Sequence, residues 1–512
     1  MSRLENTGKN LAYSVAATIL TSLMSFVTRT VFIRTIGIEY LGANSLFTNV
    51  LALLSLTELG FGSAIAFSLY RPLAYKDVET IKSLMLFYKK AYRIIAFVIL
   101  GLGILITPFL QYIVHDPGNI EHIYVIYFVF LYNTVVSYLF SHRTTILAAD
   151  QKSYLMTNVN LVITILTSGI QLVVMLTTKN YFVYLFVGVV INTVQWYFIN
   201  RFINRYYPYL QDEHVLPLAS KEKKQIAKNV KAMVFHKFGE LCINQTDNII
   251  ISSFISITAV GLYNNYYMII GIINKFAVSV FSAATASLGN LIATESYERR
   301  YEVFKRYNFL GFWVYTWTGI CLFQLLHPFV ELWLGSEYLI GELTLALVIL
   351  NYYLVGMRTP IGNVKMAAGL YAQDRWAPII QAAINLIVSI AAVRKMGLAG
   401  VFLGTVVSSI CVPCWYRPVI VYRHVFHRPV REYFAEYLRY AVVAGLALAA
   451  VAIVNSKMIE SMIHQEILSF LFKMAACALV PNAVVILFYY KTDEYRYIMG
   501  LIRKLSIRAF GR

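Results

Sequence analysis

Charged side chains are scarce in this sequence, and acidic ones are scarcer than basic ones. Asp, Glu, Lys and Arg together make up 14% of the 512 residues, whereas an ordinary soluble domain has about 25%. Hydrophobic residues make up 59%. This composition excludes an ordinary water-soluble protein and favours one that is surrounded by lipid.

Cysteine is rare as well, with five residues in the chain. Cys411 and Cys414 have the spacing of a metal-binding or redox pair, but no second Cys or His pair lies near them in the sequence. We interpret both as packing residues of a membrane helix. The sequence therefore predicts no disulfide framework, no metal site and no cofactor.

Long apolar segments account for most of the chain. About 20 helical residues cross the ~30 Å hydrocarbon core of a bilayer. By this measure the chain has about fourteen spans, at residues 10–36, 42–70, 91–114, 120–141, 154–177, 181–203, 229–256, 260–293, 306–330, 340–364, 376–394, 398–421, 439–456 and 463–490. Such long segments are not the short alternating strands of a membrane barrel. We predict an all-α polytopic membrane protein.

Basic residues are distributed unevenly between the predicted loops. The odd-numbered loops hold only four of the 44 Lys and Arg, namely Lys179, Arg394, Lys395 and Lys457. Because basic loops stay on the cytoplasmic side, we predict that both termini and every even-numbered loop are cytoplasmic. The net charge of +18 is divided among these loops. It therefore indicates contact with anionic lipids and not with nucleic acid.

The chain repeats itself at an offset of 219 residues. At this offset, without gaps, Ile38 and Gly42 align with Ile257 and Gly261. The second copy starts an even number of spans after the first, so both copies have the same orientation in the membrane. We expect two six-helix lobes related by a pseudo-twofold axis along the membrane normal, with substrate held between them.

The repeat and the loop lengths predict five regions. They are an N-lobe at 1–203, a cytoplasmic linker at 204–228, a C-lobe at 229–421, an accessory helix pair at 439–490 and a basic cytoplasmic tail at 491–512. The linker is polar and charged, which is typical of a connection between two bundles. The accessory pair has no counterpart in the repeat.

Basic residues inside spans are costly and mark a lumen or a pathway. The sequence has Arg29, Arg34, Lys275, Arg358 and Lys473 in such positions. We predict that the first four line a cationic cavity, since arginine matches the geometry of phosphate oxygens. Arg34 lies near the outer interface, where snorkelling explains it equally well. Lys473 is interpreted as a helix-pairing residue of the accessory pair.

The acidic residues inside spans are Glu58, Glu240 and Asp247. Glu58 either pairs with Arg29 or binds a proton. Glu240 and Asp247 lie two turns apart on one helix face. This pair either binds a coupling ion or belongs to a helix interface.

Amide and aromatic residues open the eighth span. Asn264, Asn265 and Tyr266 are candidates for contacts with sugar rings. An interfacial aromatic belt combined with a helix cap explains the same residues. Both interpretations remain open at this point.

Two motifs resemble those of bacterial polysaccharide flippases. One is Glu58-Leu59-Gly60 in the second span, and the other is Thr246-Asp247-Asn248, followed by Val260-Gly261-Leu262-Tyr263. Over about residues 1–490 the sequence resembles the polysaccharide transporter branch of the multidrug/oligosaccharidyl-lipid/polysaccharide exporter superfamily. The resemblance implies a two-lobe transporter and not an enzyme.

The resemblance also implies a substrate and a location. Such proteins flip undecaprenyl-diphosphate-linked oligosaccharide from the cytoplasmic to the outer leaflet of the bacterial inner membrane, for O-antigen or capsule, driven by an ion gradient. It further implies a monomer, with a polymerase and glycosyltransferases of the same pathway as possible partners. The alternatives are a multidrug/cation antiporter of the same fold, which needs an acidic lumen, and a flippase for the peptidoglycan lipid precursor.

Overall fold

In the structure, a computed structural model, the described residues form helices joined by turns and loops, without strands. The described residues are 3–55, 61–150, 152–212, 245–282, 285–370, 373–459 and 465–510, with isolated residues between them. Within these ranges, ten helices are long and apolar enough to cross a membrane, and Ile38–Leu54 is a shorter apolar helix. The prediction of an all-α polytopic membrane protein is confirmed.

The chain divides into two compact units, Met1–Gly261 and Leu262–Arg512. The first unit contains α1 Arg3–Thr35, α2 Ile38–Leu54, α3 Phe61–Tyr75, α4 Val78–Ile106, α5 Leu110–Ile113, α6 Ile123–Ser141, α7 Thr145–Ala149, α8 Ser153–Thr178, α9 Tyr181–Tyr206 and α10 at residues 245–254. The next helix, α11 Ile257–Ser282, starts in the first unit and continues in the second. The lobe and linker boundaries expected from the repeat stay predictions.

The second unit continues from α11 to the C-terminus. Its other helices are α12 Thr285–Thr294, α13 Tyr297–Leu334, α14 Glu342–Met357, α15 Thr359–Ala367, α16 Ala377–Met396, α17 Leu398–Cys411, α18 Pro413–Val421, α19 Arg431–Ile453, α20 Glu466–Tyr489 and α21 Asp493–Phe510. Short π-helical turns at Tyr422–Phe426 and Val454–Ile459 follow α18 and α19.

Side-chain caps explain where several helices begin. Asp77 accepts a hydrogen bond from the Thr80 amide at 3.1 Å and starts α4 well before the predicted apolar span. Asn180 accepts from the amides of Phe182 and Val183 and starts α9. These caps satisfy amides that have no partner in the first turn of a helix.

Proline divides two of the predicted spans into two helices each. The span predicted at 340–364 consists of α14 and α15, and Pro360 stands at the second position of α15. The span predicted at 398–421 consists of α17 and α18, which starts at Pro413. Because proline has no amide hydrogen, it fits the first turn of a helix and breaks its interior.

The two glycines aligned by the repeat make a reciprocal close contact in the first unit. A Cβ atom on Gly42 would lie 2.0 Å from the carbonyl oxygen of Ile257, and one on Gly261 would lie 2.4 Å from that of Ile38. Gly42 thus contacts Ile257, and Gly261 contacts Ile38. The same 219-residue offset aligns these two isoleucines with each other. Only glycine allows α2 and the first turn of α11 to approach so closely.

The accessory helices pack on α13 within the second unit. The rings of Phe312 and Tyr440 stack at 4.2 Å between α13 and α19. The indole nitrogen of Trp313 donates to Asn482 Oδ1 of α20 at 2.6 Å. Lys305 pairs with Glu494 of α21 at 2.9 Å. The C-terminal helices are therefore tied to the core of this unit by both apolar and polar contacts.

The helices α16 and α17 pack closely against each other in the second unit. A Cβ atom on Gly404 would lie 2.1 Å from Ser389 Oγ and 2.7 Å from the Ser389 amide nitrogen. The Ser389 hydroxyl in turn donates to the Val401 carbonyl at 2.8 Å. Small residues allow such close packing between membrane helices.

We expect Gly404→Ala to destabilise the protein by roughly 1–3 kcal/mol, the usual cost of overpacking. Gly271→Ala in α11 is the matched control, since no atom lies within 4 Å of its added Cβ. There, alanine should be neutral or stabilising, because glycine lowers helix stability. Thermal unfolding in detergent measures both variants. Equal midpoints for the two variants would contradict this account of the α16–α17 contact.

Candidate functional site

A polar cavity of about 600 Å³ lies inside the first unit. Four helices, α2, α6, α8 and α9, contribute its lining: Asn44, Thr48, Leu51, Ala52, Ser55, Phe130, Asn133, Thr134, Ser137, Tyr138, Gln171, Tyr184, Leu185, Gly188 and Asn192. On α2 and α6 these residues recur at intervals of three and four, so they share one face of each helix. A volume of this size is typical of a small-ligand site.

Amide side chains give this cavity its polar character. Asn192 of α9 donates to Asn133 Oδ1 of α6 at 3.0 Å, and the Tyr181 hydroxyl donates to Asn44 Oδ1. Gln171 makes no hydrogen bond with a described residue. Amides present both donors and acceptors, so the lining can bind a ligand with many hydroxyl groups.

Arg29 places positive charge near a lining residue of the same cavity. It lies on α1, where its charge interacts with the side chain of Tyr184. Phe32, one turn further along α1, packs edge-on against the Tyr184 ring at 5.3 Å. Arg29 Nη1 is buried and has no hydrogen-bond partner among the described residues. A buried guanidinium in this state favours an anionic group nearby.

The other charged candidates of the first unit lie elsewhere or outside the described residues. Arg34 is exposed in the last turn of α1. Glu58 and Glu240 fall outside the described residues, so their pairing stays a prediction. Asp247 is half-buried on α10.

The two basic candidates of the second unit have different surroundings. Lys275 is exposed on α11. Arg358 is buried at the break between α14 and α15, where Nη1 donates to the Ser409 carbonyl at 3.1 Å and contacts Cys414 Sγ at 3.6 Å. Arg358 therefore helps to hold α17 and α18 against this break.

The residues predicted to contact sugar are buried in the second unit. Asn264, Asn265 and Tyr266 have at most 9% of their surface exposed. The Tyr266 hydroxyl accepts from the Ile340 amide at 3.4 Å, and its ring meets His327 edge-on. The side chain of Asn265 has no hydrogen-bond partner among the described residues.

A second cavity, of about 400 Å³, lies between α13, α14 and α19 in the second unit. Its lining is almost entirely apolar and includes Gly319, Ala346, Ala441, Ala444 and Gly445. Such a surface offers little to a charged or hydroxylated group, so the polar cavity of the first unit is the better candidate for a headgroup.

Reasoning from charged residues alone misses most of the polar cavity. Asn44, Asn133, Gln171 and Asn192 are uncharged, but each is a polar residue inside an apolar span. A search for amides within spans would have found them. It would not have found the buried ion pair of Lys365 and Asp374 in the second unit, because both residues lie at or beyond the ends of predicted spans.

Comparisons with known proteins identify the family and the fold. The family model described as "Polysaccharide biosynthesis protein" matches residues 7–286, more than half of the chain. No curated protein matches the sequence. The resemblance found from the motifs in the second and seventh spans is confirmed by this family match.

Among solved structures, the lipid II flippase MurJ in an inward closed conformation has a TM-score of 0.64 at 15% identity, over 94% of this chain and 99% of that chain. An inward-facing multidrug resistance transporter of the MATE family and MOP superfamily has a TM-score of 0.54 at 15% identity, over 78% and 94%. A Vibrio cholerae MATE transporter has 0.55 at 14% identity, over 83% and 99%. The chain therefore belongs to the polysaccharide biosynthesis protein family and has a fold similar to that of MurJ and the MATE transporters.

Proposed function

We propose that this protein flips a polyprenyl-diphosphate-linked oligosaccharide across the bacterial inner membrane, and that the polar cavity of the first unit holds its headgroup. The family match supports a role in polysaccharide biosynthesis. MurJ, whose fold is similar, is described as a lipid II flippase. The observation that carries the proposal is that Arg29 Nη1, near a lining residue of an amide-lined cavity, has no hydrogen-bond partner among the described residues.

The chemistry of the cavity matches such a headgroup. Sugar hydroxyls both donate and accept hydrogen bonds, as do the amides of Asn133, Gln171 and Asn192. Phosphate oxygens require a cation in a water-poor site, and Arg29 supplies one. The desolvation cost that stops a charged headgroup from crossing lipid is thereby lowered. The polyprenyl tail stays in the hydrocarbon.

The alternatives differ in what the cavity must contain. A drug/cation antiporter needs a carboxylate, and none occurs among the described lining residues of this cavity. A peptidoglycan-precursor flippase binds the same diphosphate and also carries sugars, so only a direct comparison of substrates distinguishes it. The ion-coupling roles of Glu58, Glu240 and Asp247 and the cytoplasmic position of both termini remain part of the proposal.

We expect Arg29→Gln to slow flipping roughly ten- to a hundredfold, since a hydrogen bond to a charged group is worth about 1.5–3 kcal/mol. The assay measures protection of a fluorescent undecaprenyl-diphosphate sugar from an outside-acting quencher in proteoliposomes. Arg34→Gln is the control, because it removes the same charge from an exposed position on the same helix.

Three outcomes would overturn the proposal. Equal slowing by Arg29→Gln and Arg34→Gln would mean that the overall charge of α1 matters and not the cavity. Absence of flipping by the wild type with any lipid-linked sugar, together with uptake of a cationic drug, would favour the antiporter. Faster flipping of the peptidoglycan precursor than of other lipid-linked sugars would favour the second alternative.

We expect Asn192→Leu to reduce flipping while the protein remains folded. Its hydrogen bond to Asn133 joins α9 to α6, but such bonds between membrane helices contribute only about 0.6 kcal/mol on average. Thr193→Val is the control, since Thr193 is the adjacent residue and is exposed. Initial flipping rates and thermal unfolding midpoints of both variants test this. A large drop in the unfolding midpoint of Asn192→Leu, together with the loss of transport, would assign Asn192 a structural role only.

A further inference from the structure

A small cavity of about 100 Å³ lies at the end of the first unit that is predicted to be cytoplasmic. It shares no lining residue with the polar cavity. Its lining residues are Lys82, Met85, Leu86, Lys89, His142, Arg143, Leu210, Asp212 and Val215. These residues come from α4, from the turn after α6 and from the segment after α9. Water occupies about 30 Å³ per molecule, so the cavity has room for roughly three waters or one phosphate group.

Among the described residues, positive charge exceeds negative charge around this cavity. Lys82 is neutralised, because its ammonium lies 2.6 Å from Glu79 and 3.1 Å from Asp212. Lys89 makes no ion pair with a described residue, and Arg143 donates to the uncharged Asn204. Like charges so close together and partly buried repel one another unless an anion lies between them.

His142 is the second observation that points to a ligand. Only 4% of its surface is exposed, and Nδ1 has no hydrogen-bond partner of regular geometry among the described residues, although the Leu139 carbonyl lies near the ring. Its ring packs edge-on against Tyr88 of α4 at 6.3 Å. A buried polar atom that faces a cavity and lacks a partner is costly unless a ligand or water satisfies it.

We propose that this basic cavity, formed around Lys89, His142 and Arg143, binds a phosphate group. The guanidinium fork of Arg143 and the ammonium of Lys89 supply charge-assisted donors, and the imidazole supplies a further hydrogen bond. Asp212 does not oppose the anion strongly, because its carboxylate is paired with Lys82. The site is independent of the flipping proposal. Its phosphate comes either from a lipid headgroup in the cytoplasmic leaflet or from free phosphate.

The test is phosphate binding to the purified full-length protein. Inorganic phosphate is titrated into protein in detergent by calorimetry, and phosphatidic acid is compared with phosphatidylcholine in nanodiscs. We expect saturable binding of at least one phosphate source, weakened about tenfold or more by Lys89→Gln. Since Lys89 makes no ion pair with a described residue, the variant should fold. Lys90→Gln, an adjacent and exposed change of the same charge, should bind like the wild type.

The two arms separate the sources of phosphate. Binding of phosphatidic acid alone assigns the cavity to a lipid headgroup, and binding of inorganic phosphate in detergent assigns it to a free ion. Either result supports the proposal if Lys89→Gln weakens that binding about tenfold or more. Absence of saturable binding in both arms, or equal binding by the Lys89 and Lys90 variants, overturns it. None of these binding results depends on whether the protein flips a lipid-linked sugar.

Binding should also take up a proton at His142. Burial, together with the charges of Arg143, Lys89 and Arg93, lowers the pKa of this imidazole to about 3. A bound anion stabilises the imidazolium and raises the pKa, so affinity should rise as pH falls, by up to about tenfold per pH unit. Sulfate, which stays a dianion between pH 5 and 8, is the probe.

The control for this pH dependence is His142→Gln, which should bind sulfate with an affinity that no longer changes with pH. The wild-type and variant affinities are compared at pH 5, 6, 7 and 8 by calorimetry. An unchanged pH dependence in His142→Gln would exclude the imidazole from the site.

Discussion

The constraint on which this structure depends is that polar groups within a bilayer must find partners inside the protein. Hydrocarbon offers no hydrogen bonds, so a polar side chain on a spanning helix turns inward or pairs with another helix. The contact between Asn192 and Asn133 and that between Trp313 and Asn482 both follow this rule. Polar residues therefore mark the interior of each unit more reliably than apolar residues do.

The same constraint gives the two units different interiors. The first unit collects amides and hydroxyls around an open cavity, with one arginine near a lining residue. The second unit closes its interior with stacked aromatic rings, such as Phe312 on Tyr440. There Arg358 Nη1 donates to the Ser409 carbonyl, whereas Arg358 Nε has no hydrogen-bond partner among the described residues. Arg29 and Arg358, which look alike in the sequence, thus have different surroundings: a residue of the open cavity lies near Arg29, and Arg358 lies between packed helices.

The spans and the repeat are readable from the sequence because length and apolar composition determine them. Helix ends are less readable. The helix α13 extends from Tyr297 to Leu334, beyond its apolar stretch at 306–330, because the Ser296 cap and the Lys305–Glu494 pair stabilise its polar first turns. The polar cavity is harder to predict from the sequence, because its four amides, Asn44, Asn133, Gln171 and Asn192, lie on four different helices. The sequence shows each amide inside its span, but only the packing of these helices brings the amides together.

The attachment of α20 to α13 has a consequence for observing the protein. The protein has six tryptophans, and two of them donate their indole N–H groups to α20. Trp313 donates to Asn482, and Trp317 donates to the Cys477 carbonyl. If α20 leaves α13, both indoles lose these bonds and enter lipid, where emission shifts to shorter wavelength. The protein thus carries its own fluorescent reporter of accessory-helix detachment. Trp196 is the single tryptophan of the first unit, so events confined to that unit would leave the surroundings of these two indoles unchanged.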